Sequence, residues 1–421
     1  MMTLIKNGRI IDPANNTDVV ADLYIENGVI AEANNKATID KTIDASGKWV
    51  VPGFIDINTE LREPGYEHKA TIQSETKAAV KAGFTSLCCS PNTKPVLDST
   101  AVVRFILDKS AEAGFAKVLP TGALTIGLDG KALSEMNSLH KAGCVAMNQA
   151  ANSNMDAATL RGALLYAETF NIPVILKAED ASIRGQGCVH DGSVSSRLGL
   201  PGISPSAETV AIAQIIALLE ETNARVHITG LSTAKGVAMI ASAQRAGLKI
   251  TADTHAHQLH LTEQDMLGFD ANYHLNPPLR TAEDRDALIE GVAKGVISAV
   301  SSGHQPHQPD AKLAPFPSTA AGISSLETVL PLMLELVQRK LLSEQQMIAC
   351  LSQGPAELLG LSVGSLSVGK AADICIIDPL ATWQAAGDLW QSAGLNSPYF
   401  GQQMIGQVSQ TLVNGKLVFE K

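Results

Sequence analysis

From residue 53 to residue 301, short apolar runs alternate with longer amphipathic stretches, and this alternation restricts the fold more than any other feature of the chain. Short runs bounded by turn residues suit buried strands, whereas the longer stretches space their apolar positions as helices do. Repetition of the pair builds a parallel sheet, because a parallel neighbour requires a crossover long enough to hold a helix. The runs fall at 53–57, 85–89, 117–120, 144–147, 174–177, 225–229, 249–252 and 296–301. Eight such units predict an α/β fold of the (β/α)8 TIM-like barrel type, with an open α/β sheet as the competing architecture. Between the sixth run and the one before it, Pro205 after Ser204 suits a helix start, and 207–221 carries a broad apolar face.

The two ends of the chain follow a different grammar. Segments 4–11 and 22–30 read as short strands carrying Asn7-Gly8 and Asn27-Gly28, a dipeptide that favours two-residue hairpin turns. The same pattern returns at 372–377 and 411–419, around Asn414-Gly415. Both termini are therefore expected to build one small β domain, 1–52 with 361–421, beside a barrel of 53–360.

Bulk properties narrow the function. With 421 residues, 45% apolar and 18% charged, the chain can bury a sizeable core. A net charge of −10 without Lys/Arg clusters argues against nucleic acid as a partner. The six cysteines are scattered without a CxxC pair and no secretory leader precedes them, which predicts reduced core thiols in a cytoplasmic protein. The most apolar stretch, 210–219, is too short to span a bilayer, so no membrane segment is expected.

Several motifs then carry a resemblance: VPGFIDINTELREPG at 51–65, SPNTKP at 90–95, SRLGLPGISPSAE at 196–208, NPPLR at 276–280, GHQPH at 303–307 and AADICIIDP at 371–379. Over nearly its whole length the chain resembles class I dihydroorotase, a cyclic amidohydrolase. The resemblance implies a barrel flanked by terminal β regions. It also implies closure of carbamoyl aspartate to dihydroorotate at a metal-rich site on the strand ends.

The positions that would supply this chemistry are changed. Where the resemblance puts a first-strand His-x-His, the chain has Asn58 and Glu60; the fourth-strand aspartates fall on Gln149 and Ala150. Lys177 and Gly230 stand where histidines are expected, and Gly303 replaces an aspartate that serves as ligand and proton shuttle. Glycines offer no side chain, Asn58 and Gln149 offer neutral amides, and a protonated Lys177 repels a cation, which leaves Glu60 as the one good ligand. Neither a metal nor any other cofactor is expected, and no general base is evident.

Other matching positions persist. Arg62, Asn92, Asn276 and His304 correspond to residues that hold substrate in the resembled family, which implies a vestigial pocket; the competing reading is that they brace loops and strand ends. His255, His257 and His260 could supply a relocated metal site, but read more simply as a surface or loop cluster, and His227 reads as a strand-face histidine. Glu60 and Lys177 lie at strand ends that converge in the resembled family. They could form an ion pair replacing a metal, or be unrelated substitutions.

The substitutions predict a non-catalytic subunit, and the resemblance implies that it binds the aspartate carbamoyltransferase catalytic chain, as a homodimer within a larger hetero-oligomer. Two other functions stay open: an active amidohydrolase with a relocated or mononuclear metal site, and a module sensing carbamoyl aspartate or dihydroorotate.

Overall fold

The structure is a computed structural model that describes residues 2–33, 38–149 and 155–421. Eight parallel strands follow one another around a nearly closed barrel: Phe54–Thr59, Phe84–Cys89, Lys117–Ala123, Ala146–Gln149, Val174–Lys177, Val226–Thr229, Ile250–His255 and Ala299–Ser301. Helices alternate with them, so the barrel expected from the alternating pattern is present and the open sheet is not. The seam between the last and first strands is closed by a parallel bridge of Thr59 with His304, where Glu60 N–H donates to the His304 carbonyl at 2.9 Å.

The first helix shows how local sequence places these elements. Thr71 caps Ile72–Lys81 by accepting from Ser74 N–H, and the Ser74 hydroxyl oxygen accepts from Thr71 N–H in return, a reciprocal capping box. Its inner face buries Ile72, Ala78, Ala79 and Val80 against a core in which Phe54 and Phe84 meet edge to face at 5.7 Å. Each large apolar side chain removed from water in this way contributes about 1.5–3 kcal/mol.

A second sheet combines both termini. Trp49–Pro52 pairs in parallel with Met2–Asp12 and antiparallel with Ile374–Gln384, and the latter continues to Gln403–Val413 and Lys416–Glu420. Asn27-Gly28 and Asn414-Gly415 turn with positive φ at both positions (50° and 86°, 48° and 72°), the geometry of a type I′ hairpin. The Asn7-Gly8 turn is not there. Met2–Asp12 runs through these residues as one strand with a register shift between Ile5 and Gly8, so the dipeptide forms a β-bulge. Glycine is required at that bulge because a Cβ on Gly8 would lie 2.4 Å from Val50 Cγ2.

Between Ile374–Gln384 and Gln403–Val413 the chain leaves this sheet and crosses to the barrel. There Asn396 accepts from His307 N–H at 2.8 Å and donates to the carbonyls of Gln305 and Gly322 at 3.0 and 3.1 Å. A segment of the terminal region thereby supports the loop that follows the eighth barrel strand. All six cysteines are free and buried. Among the described residues no helix is long and apolar enough to cross a membrane.

Candidate functional site

A polar cavity of about 240 Å³ opens at the carboxyl ends of the barrel strands. Parallel barrels place their chemistry at this end, because the strands aim their last residues and the following loops at a common centre. The structure brings Asn58, Glu60, Lys177, Gly230 and Asn276 together in its wall. Asn148, Thr229, His255 and Gln305 line it too.

Asn58 donates from Nδ2 to Thr229 Oγ1 at 3.0 Å, tying the first strand to the sixth across the cavity. Glu60 accepts from Arg62 Nη1, and Arg62 is fixed from behind by donating through Nε to the Pro306 carbonyl at 3.0 Å. Lys177 pairs with Glu179 Oε2 at 3.2 Å, and Arg184 Nε approaches the other oxygen of Glu179 at 3.5 Å. The direct Glu60–Lys177 ion pair is therefore not formed, because each charge has a partner close in sequence. Burial pulls the Lys177 ammonium below the usual lysine range, and Glu179 restores part of the loss.

Gln149 faces away from the cavity. Its amide accepts from Thr125 Oγ1 at 3.1 Å and donates to the Leu128 carbonyl at 3.1 Å, inside the turn that follows the third strand. Neighbouring residues of a strand point to opposite sides, and here Asn148 lines the cavity instead. Ala150 lies outside the described residues. Gly230 and Gly303 both have positive φ, 68° and 60°.

The four residues assigned to a vestigial substrate pocket are dispersed. Asn276 lines the cavity, and its Oδ1 is buried without a hydrogen-bond partner among the described residues, as is Asn148 Oδ1. Arg62 reaches the cavity through Glu60, while Asn92 is half-buried in the loop after the second strand and does not line it. His304 is fully buried behind the wall: its Nε2 lies 2.7 Å from Glu75 Oε2, and its Nδ1 accepts from Ser325 N–H at 3.0 Å. It joins the eighth-strand loop to the first helix.

The histidine cluster is not on the surface. His255 ends the seventh strand, His257 lies in the 3-10 turn Ala256–Leu259, and both are buried. His260 Nε2 contacts the Leu332 carbonyl at 3.0 Å, so the segment packs under the helix Val329–Gln338. Burial lowers the pKa of all three. His227 sits on the sixth strand with Nε2 2.8 Å from Asp253 Oδ2. Asp253 also accepts from Gly230 N–H at 3.1 Å and Ser301 Oγ at 2.8 Å, and Ser301 Oγ lies 2.9 Å from His255 Nδ1.

Sequence reasoning did not assign Asn148 or His255 to the cavity. The one signal for His255 was its position just beyond the seventh run, which the observed strand Ile250–His255 extends to deliver its last side chain to the centre.

This donor set does not suit a dinuclear cation site. Its carboxylate at residue 60 is engaged by Arg62, its ammonium is positive, and its remaining groups are neutral amides, hydroxyls and one imidazole. Among the described residues no group of three or more His, Cys, Asp or Glu side chains is arranged to hold a metal.

Comparison with known proteins gives a consistent picture. A family model described as dihydro-orotase-like matches residues 47–236. A dihydroorotase-like protein of Pseudomonas aeruginosa is 46% identical, with 100% of each chain covered. A protein named dihydroorotase from Syntrophotalea carbinolica is 43% identical, covering 100% of this chain and 99% of that one. Among solved structures, L-hydantoinase from Arthrobacter aurescens has a TM-score of 0.89 at 24% identity, covering 100% of this chain and 96% of that one, a likeness of fold.

Proposed function

The chain belongs to the dihydroorotase-like family, and from that premise we propose that it is a non-catalytic homologue of dihydroorotase. In this reading it serves pyrimidine biosynthesis in the cytoplasm as an assembly subunit for the aspartate carbamoyltransferase catalytic chain, built from homodimers. The observation that carries the non-catalytic half is the cavity wall. An amidohydrolase of this kind needs a cation that activates water and polarises the amide, and a base that moves its proton. The wall offers Glu60 already held by Arg62, an ammonium held by Glu179, amides, and a glycine at 230. The assembly half follows from the resemblance. A scaffold retained over its full length without its reaction centre is what selection for an interface would leave.

The test is co-expression with the aspartate carbamoyltransferase catalytic chain of the same organism, followed by light scattering on a sizing column. The expected result is one co-eluting complex larger than either component. Independent elution at micromolar concentration would remove the assembly role.

A second reading, ligand sensing, is favoured by the unpartnered oxygens of Asn148 and Asn276. Buried acceptors without donors are costly, about 1–3 kcal/mol each, and a ligand rich in N–H groups would satisfy them. Carbamoyl aspartate and dihydroorotate both have such groups. Calorimetry with each compound tests it: heat that disappears in Asn276→Ala supports sensing, and no heat at millimolar ligand excludes it.

A further inference from the structure

We infer that the His255 imidazole is a plug: it fills the volume above Gly303 and Gly230 that a side chain at either position would need. A Cβ placed on Gly303 would lie 2.6 Å from His255 Cγ and 2.8 Å from both Cδ2 and Nδ1. Nonbonded carbon atoms do not approach so closely, and both elements are strand ends in a packed barrel that cannot yield freely. A Cβ on Gly230 would lie 3.0 Å from His255 Nε2 and 3.3 Å from Cε1, a milder conflict with the other edge of the same ring.

The ring is held in place by more than packing. Ser301 Oγ donates to Asp253 Oδ1 at 2.8 Å, so it receives the Nδ1–H of His255 across 2.9 Å. Asp253 is itself fully buried, between His227 Nε2 at 2.8 Å and Gly230 N–H at 3.1 Å. The chain of bonds runs through the sixth, seventh and eighth strands, and it leaves Nε2 of His255 turned toward Gly230 without a hydrogen-bond partner among the described residues. Swinging the ring away would take the Nδ1–H from its acceptor in a buried site, while Ser301 keeps its bond to Asp253.

The glycines at 230 and 303 and the histidine at 255 are thus one interlocked set. A carboxylate returned to position 303 by a single substitution meets the ring before it meets the cavity. The inference rests on the non-catalytic reading only for the meaning of position 303 as a former donor; the packing is tested without reference to activity.

Gly360 supplies the control, since its φ of 67° resembles the 60° of Gly303 but a Cβ there has no neighbour within 4 Å. Both glycine-to-alanine changes suffer from positive φ, so any excess at 303 reports the ring. In urea melts of the full chain, Gly303→Ala is expected to lower the midpoint about twofold more than Gly360→Ala. In a His255→Ala background the cost of Gly303→Ala should fall to that of Gly360→Ala. Equal costs at 303 and 360 in the parent chain, or a cost at 303 that His255→Ala leaves unchanged, would overturn the plug. If Gly303→Ala does not fold, Gly230→Ala must show the same dependence on His255 with a smaller shift, and its absence would overturn the plug equally. In histidine nitrogen spectra the proton of His255 is expected on Nδ1; a proton on Nε2 would contradict the bond to Ser301.

Discussion

Asp56 on the first barrel strand accepts from the backbone N–H of Ser302 at 3.0 Å, so a buried carboxylate joins the strand that opens the barrel to the chain just beyond the strand that closes it. The same carboxylate takes the Ser302 hydroxyl, the Thr59 hydroxyl at 2.7 Å and the Asn58 N–H at 3.2 Å. Replacing Asp56 with Ala would leave these donors buried without an acceptor. The expected loss is about 3 kcal/mol in urea denaturation. A loss under about 1 kcal/mol would mean that the seam is held by the Thr59–His304 bridge alone.

Acid should unfold the protein through its histidines. Burial, helped by Lys312 and Arg184, pulls the His274 pKa down to about 4, and burial with Arg62, Lys69 and Lys312 nearby pulls His307 down to about 3. Both rings are neutral in the folded chain and take a proton near pH 6.5 once unfolded. Their contribution is therefore complete above about pH 6.5 and is lost as pH falls toward the folded values. Two such groups give a slope of up to about 2.7 kcal/mol per pH unit between roughly pH 6 and 4. Burial raises the pKa of Asp56, Glu263 and Glu327, and these groups run in the opposite sense. Urea midpoints across this range, compared with the His274→Gln, His307→Gln double variant, check the slope; an unchanged slope in the variant would contradict it.

Lys177 should couple more strongly to Glu179 than to Glu60. Double-mutant cycles on stability, with Lys177→Met against Glu179→Gln and against Glu60→Gln, separate the two. The expected coupling is about 1 kcal/mol or more for the pair at 3.2 Å, and below about 0.5 kcal/mol for the other. The reverse order would restore the idea that Lys177 neutralises Glu60 in place of a cation.

What the sequence disclosed depended on the range of the interaction involved. The barrel was legible because strand and helix periods are local, and the type I′ turns at Asn27-Gly28 and Asn414-Gly415 were legible because two residues define them. Asn7-Gly8 has the same letters, yet Met2–Asp12 pairs on both sides of it and makes it a bulge, a choice that only the partner strands decide. Lys177 and Glu60 could be brought to one cavity by strand order, but the sequence could not show that Glu179 and Arg62 had already claimed them. Nor could it show that His255 stands over Gly303, since that contact depends on a side-chain rotamer fixed by Ser301 and Asp253.

In the proposed function, this barrel keeps the frame of an amidohydrolase without its reaction. Turnover of dihydroorotate by the purified chain, with added zinc and again with a chelator, tests that claim most directly. No hydrolysis above the buffer rate is expected under either condition; steady turnover that zinc supports and the chelator abolishes would overturn the non-catalytic reading.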